Sequence, residues 1–159
     1  MHKVKVRDYG IETFLEPTTE DEAVFYARLK DAIDAKEAVA FYCYKPHFVH
    51  ALYDVTFVDE PLYDPAGYTM IQPDQDADWF AKSKITTGDE IKTVTVAYSK
   101  SLETRAPAAA AFLSKIAMSA DDLSQLTYQT VIQGQDVDSA VSDWLAANGD
   151  TVDGWLGLK

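Results

Sequence analysis

An amphipathic helix followed at once by a run of strand-forming residues restricts this chain more than any other feature. Thr19 and Glu22 have the spacing of a capping box, and apolar residues repeat behind them at helical spacing, which predicts a helix over residues 19–36. The segment "AVAFYCY", residues 38–44, continues without a break until Pro46 and predicts a strand that is buried on both faces of a parallel sheet. Together they predict an α/β fold.

Two further strands are predicted, and the rest of the middle of the chain is predicted mainly as loop. "VTFVDEP", residues 55–61, is one strand, and "IKTVTVAYS", residues 91–99, is the other, because apolar and polar side chains alternate along it. Residues 60–78 are rich in proline and aspartate and predict a loop, with a short helix around Trp79.

The carboxyl-terminal third is predicted to be helical. Pro107 suits the first turn of a helix that runs to about residue 116, Ser119 caps a second that ends at Gly134, and Asp136 opens a third that stops at Gly149. Trp144 and Leu145 are assigned to the apolar face of the third helix, and Trp155 to a final turn that packs against the body. The whole pattern predicts one domain over residues 1–159, with a mixed sheet, flanking helices and a helical carboxyl terminus.

The charge of the chain excludes several kinds of partner. Fourteen Lys and Arg oppose 26 Asp and Glu, and the resulting net charge of −12 repels nucleic acid and anionic membrane surfaces. No apolar run is long enough to span a bilayer, and the amino-terminal residues "MHKVKVRDYG" lack the apolar region of a signal peptide. Cys43 is the only cysteine, so no internal disulfide is predicted.

Signals for enzyme activity are weak, and neither an enzyme nor a cofactor is predicted. The chain has no glycine-rich phosphate loop and no G-x-S-x-G motif. Cys43, His47 and His50 are residue types that bind zinc, but their spacing matches no standard site and a buried thiol near two loop histidines is the plainer interpretation. Acidic pairs occur at caps and turns, where acids are expected without catalysis: Asp21/Glu22, Asp59/Glu60, Asp89/Glu90 and Asp121/Asp122.

The stretch "FYCYKPHF", residues 41–48, is the strongest candidate for a binding site. In a strand, Tyr42 and Tyr44 share one face, and His47 and Phe48 belong to the loop just beyond its carboxyl end, where open α/β sheets hold ligands. Aromatic faces attract a quaternary ammonium group, which has no hydrogen to donate, and the imidazole of His47 can donate to a carboxylate. The pattern therefore suits a betaine-like zwitterion, although this stretch alone favours two tyrosines that fill a sheet–helix interface.

The order of motifs resembles the carboxyl-terminal part of the glycine betaine/choline-type substrate-binding proteins of ABC transporters. The resemblance covers almost the whole chain and is weakest over residues 62–91. It rests on "YGI" at 9–11, the helix at 19–36, the strand into "YKPHF", "LYDVTFVDEP", "APAAAAFLSKI", "SADDL" and "AVSDWLAANGDTVDGWL".

The resemblance implies a type II periplasmic-binding fold of two lobes, of which this chain matches about the back half. In that family a W-x-P-H motif ends the strand: its tryptophan is one wall of an aromatic cage around the trimethylammonium group, and its histidine contacts the carboxylate. Tyr44 stands at the tryptophan position and His47 at the histidine, while Tyr42 and Phe48 flank the site by geometry only. The implied partners are a betaine-like osmolyte and an ABC transporter permease on the periplasmic or extracytoplasmic side of a membrane, and the implied role is osmoprotection.

Several alternatives stay open at this point. The ligand is glycine betaine, choline, carnitine or another methylated amine, and one wall of a cage does not separate them. The chain is a fragment, a split protein with a partner lobe, or a domain that self-associates. A half-fold of this kind can also be a structural or regulatory domain that dimerises without binding a ligand.

Overall fold

A computed structural model describes residues 1–159 and divides them into two compact units. Unit 1 contains Met1–Tyr42 and Val58–Ile91, and unit 2 contains Cys43–Phe57 and Lys92–Lys159. The chain therefore passes between the units three times. A single domain over residues 1–159 stays a prediction, because one binding domain can itself contain two compact units.

Helices dominate both units, and the only sheet has two short strands. Unit 1 holds α1 (His2–Asp8), α2 (Glu22–Asp34), a 3₁₀ turn (Pro65–Gly67), β1 (Tyr68–Thr69), α4 (Trp79–Lys82) and β2 (Lys84–Ile85). Unit 2 holds α3 (Val49–Leu52), α5 (Leu102–Arg105), α6 (Pro107–Lys115), α7 (Ala120–Thr127), a π-helical turn (Tyr128–Ile132), α8 (Val137–Ala147) and α9 (Gly149–Leu156). None of these helices is long and apolar enough to cross a bilayer.

The core of unit 1 lies where α1 packs against β2. Val4 of α1 and Ile85 of β2 are fully buried, and the Ile85 backbone N–H donates to Asp8 Oδ2 over 2.6 Å. The two strands are antiparallel, with Tyr68 opposite Ile85. The amino-terminal helix, which the sequence pattern did not predict, is thus fixed to the sheet by both apolar burial and a charge-assisted hydrogen bond.

A buried lysine binds two carboxylates in unit 1. Lys5 Nζ lies 2.8 Å from Glu60 Oε1 and 3.0 Å from Asp89 Oδ2, while the Tyr9 hydroxyl donates to Glu60 and the Tyr68 hydroxyl donates to Asp89. Burial, reinforced by these hydrogen bonds to carboxylates, raises the pKa of both tyrosines to about 12. These five residues are called the Lys5 cluster below.

Unit 2 is built from capped helices that match the predicted ones closely. Ser119 accepts a hydrogen bond from the Asp122 N–H at the start of α7, and Asp136 accepts one from the Ser139 N–H at the start of α8. These caps confirm the predicted helix starts, and Pro107 begins α6 as expected.

The two carboxyl-terminal tryptophans also behave as predicted. The rings of Trp144 and Trp155 stack with their centroids 5.6 Å apart and their planes 13° apart. Ala140, one turn before Trp144, is buried at the same face of α8, whereas Leu145 is exposed. Trp155 therefore packs the terminal helix onto α8, and Leu145 lies outside the apolar face to which it was assigned.

The helix predicted over residues 19–36 is confirmed, but its predicted cap is wrong. The helix begins at Glu22 with Asp21 at the N-cap, and no side chain caps it. Thr19 lies outside it, so the pair Thr19 and Glu22 does not form a capping box. The short helix predicted around Trp79 is present as α4.

The three predicted strands, over residues 38–44, 55–61 and 91–99, are wrong. None of these segments forms a strand. In place of the predicted mixed sheet, the structure has the pair of β1 and β2, and β1 lies within residues 60–78, which the sequence predicts mainly as loop. Val58 and Val94, placed in strands by the pattern, are 82% and 72% exposed. Strand propensity describes only how well a side chain suits the pleated surface of a sheet. A strand forms only where a neighbouring segment completes its backbone hydrogen bonds.

Candidate functional site

Three of the four predicted site residues lie together in unit 2, in the segment that leads into α3. The Tyr44 ring is 5.6 Å from the His47 ring at an interplanar angle of 84°, and the His47 ring is 4.4 Å from the Phe48 ring. Residues 44–48 are called the aromatic loop below. Within this loop Phe48 is buried, whereas Tyr44 is 60% exposed.

An exposed phenol ring with an imidazole at right angles to it is suited to binding a cation. The negative face of an aromatic ring attracts a positive group placed over it, by about 0.5 to 2 kcal/mol depending on how far water is excluded. The edge-to-face contact with His47 limits the rotation of the Tyr44 ring. The structure thus places one exposed aromatic face beside an imidazole at the surface of unit 2.

The imidazole of His47 has a defined tautomer. Its Nδ1 accepts a hydrogen bond from the Val49 backbone N–H over 3.3 Å, so Nδ1 carries no proton. In the neutral ring the proton is then on Nε2, which makes Nε2 the donating nitrogen. A donor of this kind can bind a carboxylate oxygen.

Helix α7 holds the aromatic loop in place. The His47 backbone N–H donates to Ser124 Oγ over 3.1 Å, and Ser124 Oγ donates in turn to the Ala120 carbonyl over 2.7 Å. Lys45 Nζ lies 2.5 Å from Asp121 Oδ1 in the first turn of the same helix. Buried Ser124 is therefore a positioning residue, and no sequence pattern distinguished it from other helical serines.

Replacing Ser124 with alanine is expected to loosen the aromatic loop. The substitution leaves the partly buried His47 N–H without its acceptor, which costs about 1 kcal/mol of unfolding free energy. Urea denaturation of the whole chain, followed by tryptophan fluorescence, measures this change.

Ser142→Ala is the matched control for this experiment. Ser142 makes the same bond to a carbonyl one turn earlier, with Asp138, but it is exposed and accepts no bond from another segment. The control is expected to change the unfolding free energy by less than about 0.5 kcal/mol. Equal effects of the two substitutions would contradict the role of Ser124.

The fourth predicted residue, Tyr42, belongs to unit 1. Its ring lies 4.2 Å from the ring of His2 at an angle of 39°, and its side chain is largely exposed. The expectation that Tyr42 and Tyr44 share one face depended on a strand over residues 38–44, and that strand is absent. The geometry therefore groups Tyr44, His47 and Phe48, and leaves Tyr42 in a separate aromatic contact.

The alternative metal site is not assembled. Cys43 Sγ lies 3.6 Å from His50 Nε2, but His50 also contacts the Tyr44 carbonyl and stacks on Phe57, while His47 faces Tyr44 and Phe48. Residues 1–159 contain no group of three or more His, Cys, Asp or Glu that could hold a metal ion. Burial raises the pKa of the Cys43 thiol, which opposes the thiolate form that metals and nucleophilic catalysis require.

Several residues of the acidic pairs have partners elsewhere in the structure. Glu60 and Asp89 belong to the Lys5 cluster, Asp121 pairs with Lys45, and Asp122 accepts from the Ser119 hydroxyl. Asp21 is the N-cap residue of α2. Asp122 therefore agrees with the predicted role of acids at caps and turns, whereas Glu60 and Asp89 pair with a buried lysine and Asp21 makes no capping hydrogen bond.

The aromatic loop thus places an exposed aromatic face beside an imidazole. A family model described as "Substrate binding domain of ABC-type glycine betaine transport system" matches residues 2–147. The chain therefore belongs to this family of extracytoplasmic transport proteins, whose members have the type II periplasmic-binding fold and are not enzymes. No curated protein matches the chain.

Proposed function

We propose that this chain binds quaternary ammonium osmolytes of the glycine betaine, choline and carnitine class for an ABC transporter, with Tyr44 as one wall of an aromatic cage. The observation that carries the proposal is the exposed Tyr44 ring, which is held edge-to-face against His47 within a chain of the glycine betaine family. The proposed partners are the ligand and a permease on the extracytoplasmic side of the membrane, and the proposed role is osmoprotection.

The chemistry of a trimethylammonium group explains why an aromatic wall is needed. The group has no N–H and cannot be held by ordinary hydrogen-bond acceptors, so its binding depends on apolar contact and on the attraction of ring faces. One ring supplies at most about 2 kcal/mol, and micromolar affinity requires about 8 kcal/mol. Tyr44 must therefore act with further walls. Phe48 packs on the His47 ring and is buried, so it supports the aromatic loop and offers no exposed face to the ligand.

His47 is proposed to bind the carboxylate of the ligand. Its Nε2–H is the donating atom of the neutral ring, and its position beside the Tyr44 ring matches a ligand with both a cationic and an anionic end. Choline carries a hydroxyl group in place of the carboxylate and gains less from this donor. His47 thus favours betaines over choline.

Calorimetric titration with glycine betaine, choline and carnitine tests the proposal. We expect saturable binding of at least one of them, and no binding of 3,3-dimethylbutanoate, which has the shape of glycine betaine but a neutral carbon in place of the nitrogen. This carbon analogue separates attraction to the ring faces from simple apolar burial. Equal binding of glycine betaine and its carbon analogue would contradict the cage.

The substitution His47→Ala is expected to weaken glycine betaine binding about tenfold and choline binding by less than about twofold. A hydrogen bond to a charged group contributes about 1.5 kcal/mol or more, which corresponds to the tenfold change. The ratio of the two affinities is the measurement, because a general loss of structure lowers both alike. Parallel losses would exclude a direct role of His47 with the carboxylate.

The alternative function is a structural or regulatory half-domain that associates without binding a ligand. Exposed apolar residues such as Val58, Leu62 and Ile91 favour association of some kind. The absence of heat with all three ligands, at concentrations up to the millimolar range, would support this alternative.

A further inference from the structure

We propose that His50 is a positioning residue for the aromatic loop: the Nε2–H of its imidazole holds the Tyr44 carbonyl and thereby keeps the Tyr44 ring beside His47. The meaning of this contact for binding rests on the proposed function, whereas the hydrogen bond itself can be tested without a ligand. The sequence drew attention to His50 only as a candidate zinc ligand.

The contact between His50 and Tyr44 determines which nitrogen of the His50 ring carries a hydrogen. Nε2 lies 3.2 Å from the Tyr44 carbonyl oxygen. A carbonyl oxygen can only accept, so Nε2 is the donor in both protonation states of the ring. His50 therefore acts on the backbone of the aromatic loop, whereas the donating nitrogen of His47 is proposed to act on the ligand.

The thiol of Cys43 is the second group at the Tyr44 carbonyl. Cys43 Sγ lies 3.5 Å from this oxygen and 3.6 Å from His50 Nε2. A thiol is a weak donor, so the imidazole makes the stronger of the two hydrogen bonds. Loss of the imidazole thus leaves the Tyr44 carbonyl with only the weaker donor.

His50 is supported from outside the aromatic loop. Its ring stacks on the Phe57 ring with the centroids 5.2 Å apart and the planes 22° apart. His50 lies on α3, which packs against α7, and the neighbouring Val49 is fully buried. A side chain on a packed helix holds a site more rigidly than one on a loop. The donor for Tyr44 is therefore in place before any ligand arrives.

The Tyr44 carbonyl influences how the Tyr44 side chain leaves the loop. The carbonyl belongs to the planar peptide that follows the Tyr44 α-carbon, so holding it restricts rotation about the backbone bond next to the side chain. Because Tyr44 is 60% exposed, packing alone restricts it little. A released carbonyl lets the ring occupy orientations that do not bind, and the apparent affinity falls with the fraction that remains competent.

Two substitutions separate the hydrogen bond of His50 from its stack on Phe57. His50→Gln keeps a donating nitrogen but loses the ring, whereas His50→Phe keeps a ring but loses the donor. We expect His50→Phe to lower the affinity for glycine betaine about fivefold, which corresponds to one neutral hydrogen bond of about 1 kcal/mol. His50→Gln is expected to stay within about twofold of the wild-type affinity. Calorimetric titration measures both, and an equal or larger loss in His50→Gln would overturn the proposal.

Thermal denaturation shows whether the loss of affinity comes from the site or from the fold. His50→Phe is expected to melt at the temperature of the wild-type chain although it binds more weakly. His50→Gln is expected to melt at a lower temperature although it binds almost normally, because it loses the stacked ring. Affinities that follow the melting temperatures in both variants would make His50 a structural residue and would overturn the proposal.

The ratio of two ligands distinguishes the role of His50 from that of His47. His50→Phe is expected to weaken glycine betaine and choline equally, because both have the trimethylammonium group that Tyr44 is proposed to contact. His47→Ala is expected to change their ratio. A changed ratio in His50→Phe would assign His50 to the carboxylate of the ligand and would overturn its role at Tyr44.

Cys43→Ala tests whether the thiol, rather than the imidazole, holds the Tyr44 carbonyl. The change removes the weaker donor, so the expected loss of glycine betaine affinity is less than about twofold. A greater loss in Cys43→Ala than in His50→Phe would assign the carbonyl to the thiol and would overturn the proposal.

Nitrogen NMR of the imidazole rings tests the hydrogen bond without a ligand. The chain has three histidines, and the signals that His50→Gln removes belong to His50. We expect the neutral His50 ring to carry its hydrogen on Nε2. A hydrogen on Nδ1 alone would overturn the proposal, because such a ring cannot donate to the Tyr44 carbonyl. Absence of ligand binding by the wild-type chain would instead contradict the proposed function, so the two failures are distinguishable.

Discussion

Replacing Tyr44 with alanine is expected to lower the affinity for a quaternary ammonium ligand about 30-fold and to leave the fold intact. The change removes one aromatic face, which contributes up to about 2 kcal/mol to binding when water is excluded. Tyr44 is largely exposed and its side chain lies outside the core of unit 2, so the unfolding free energy is expected to change little. Titration calorimetry and thermal denaturation measure the two effects.

Three further variants make the test of Tyr44 specific. Tyr44→Phe keeps the ring and is expected to keep most of the affinity, and Tyr44→Trp is expected to raise it because indole is the stronger π-face. Tyr63→Ala removes another exposed tyrosine, in unit 1, and is the matched control. Wild-type affinity in Tyr44→Ala, or an equal loss in Tyr63→Ala, would show that the site assignment is wrong.

Replacing Lys5 with methionine is expected to destabilise unit 1 by about 2 kcal/mol. The change leaves Glu60 and Asp89 close together without their shared cation, and removal of one partner from a buried pair costs about 3 to 5 kcal/mol. We expect about 2 kcal/mol, which is below this range, because the two carboxylates are about one-third exposed and solvent screens their charges. Urea denaturation of the variant and the wild type measures the difference.

Lys82→Met is the control for the loss of a surface ion pair. Lys82 lies 2.5 Å from Asp76 but is half exposed, so its loss is expected to cost less than about 1 kcal/mol. A similar cost for Lys5→Met and Lys82→Met would contradict the view that the Lys5 cluster organises unit 1.

The stability of unit 1 is expected to fall at both ends of the pH range. Burial opposes ionisation of Asp89, but hydrogen bonds from Tyr68 and Lys5 lower its pKa, so this stabilisation is present above the ordinary pKa of about 4 and is lost as the pH falls through the lowered value. The raised pKa of Tyr9 and of Tyr68 acts in the opposite direction. Their contribution is present below pH of about 10 and is lost as the pH rises towards 12. Lys5→Met is expected to reduce the loss at acidic pH, because Asp89 then lacks the cation that lowers its pKa.

Helices could be predicted from the sequence because their signals are local. Ser119 and Asp136 cap the turns that directly follow them, and Pro107 restricts its own backbone, so none of these signals depends on the rest of the fold. The capping box at Thr19 failed because the helix begins after Asp21. Helix α1 was missed because "HKVKVRD" alternates in a way that does not repeat at helical spacing, and its burial depends on contact with β2.

Strands could not be predicted in the same way because their partners are remote in sequence. Val94 and Val96 have the side chains of a strand, yet nothing near them in the chain completes their hydrogen bonds. Tyr68 and Ile85 form a strand pair although they lie 17 residues apart in a proline-rich and aspartate-rich region. Pairing is decided by which segments meet, and single-residue propensity does not contain this information.

The candidate site was predictable only in part. The spacing of Tyr44 and His47 was visible in the sequence, and the structure places their rings together. The order of motifs also predicted the family, and the family match over residues 2–147 confirms it. The hydrogen bond from His47 to Ser124 was not predictable, because it joins residues 77 positions apart.

The three passages of the chain between the units determine the order in which each unit can be completed during synthesis. Unit 1 is complete only when the chain has been synthesised to residue 91, because β1 and β2 belong to it. By that stage residues 43–57 of unit 2 have been synthesised, but α5 to α9 of the same unit have not. At that stage the aromatic loop has been synthesised, but Ser124, which accepts the hydrogen bond from the His47 N–H, has not. No single cut separates one unit from the other: a product that ends at residue 91 contains all of unit 1 but also carries residues 43–57 of unit 2.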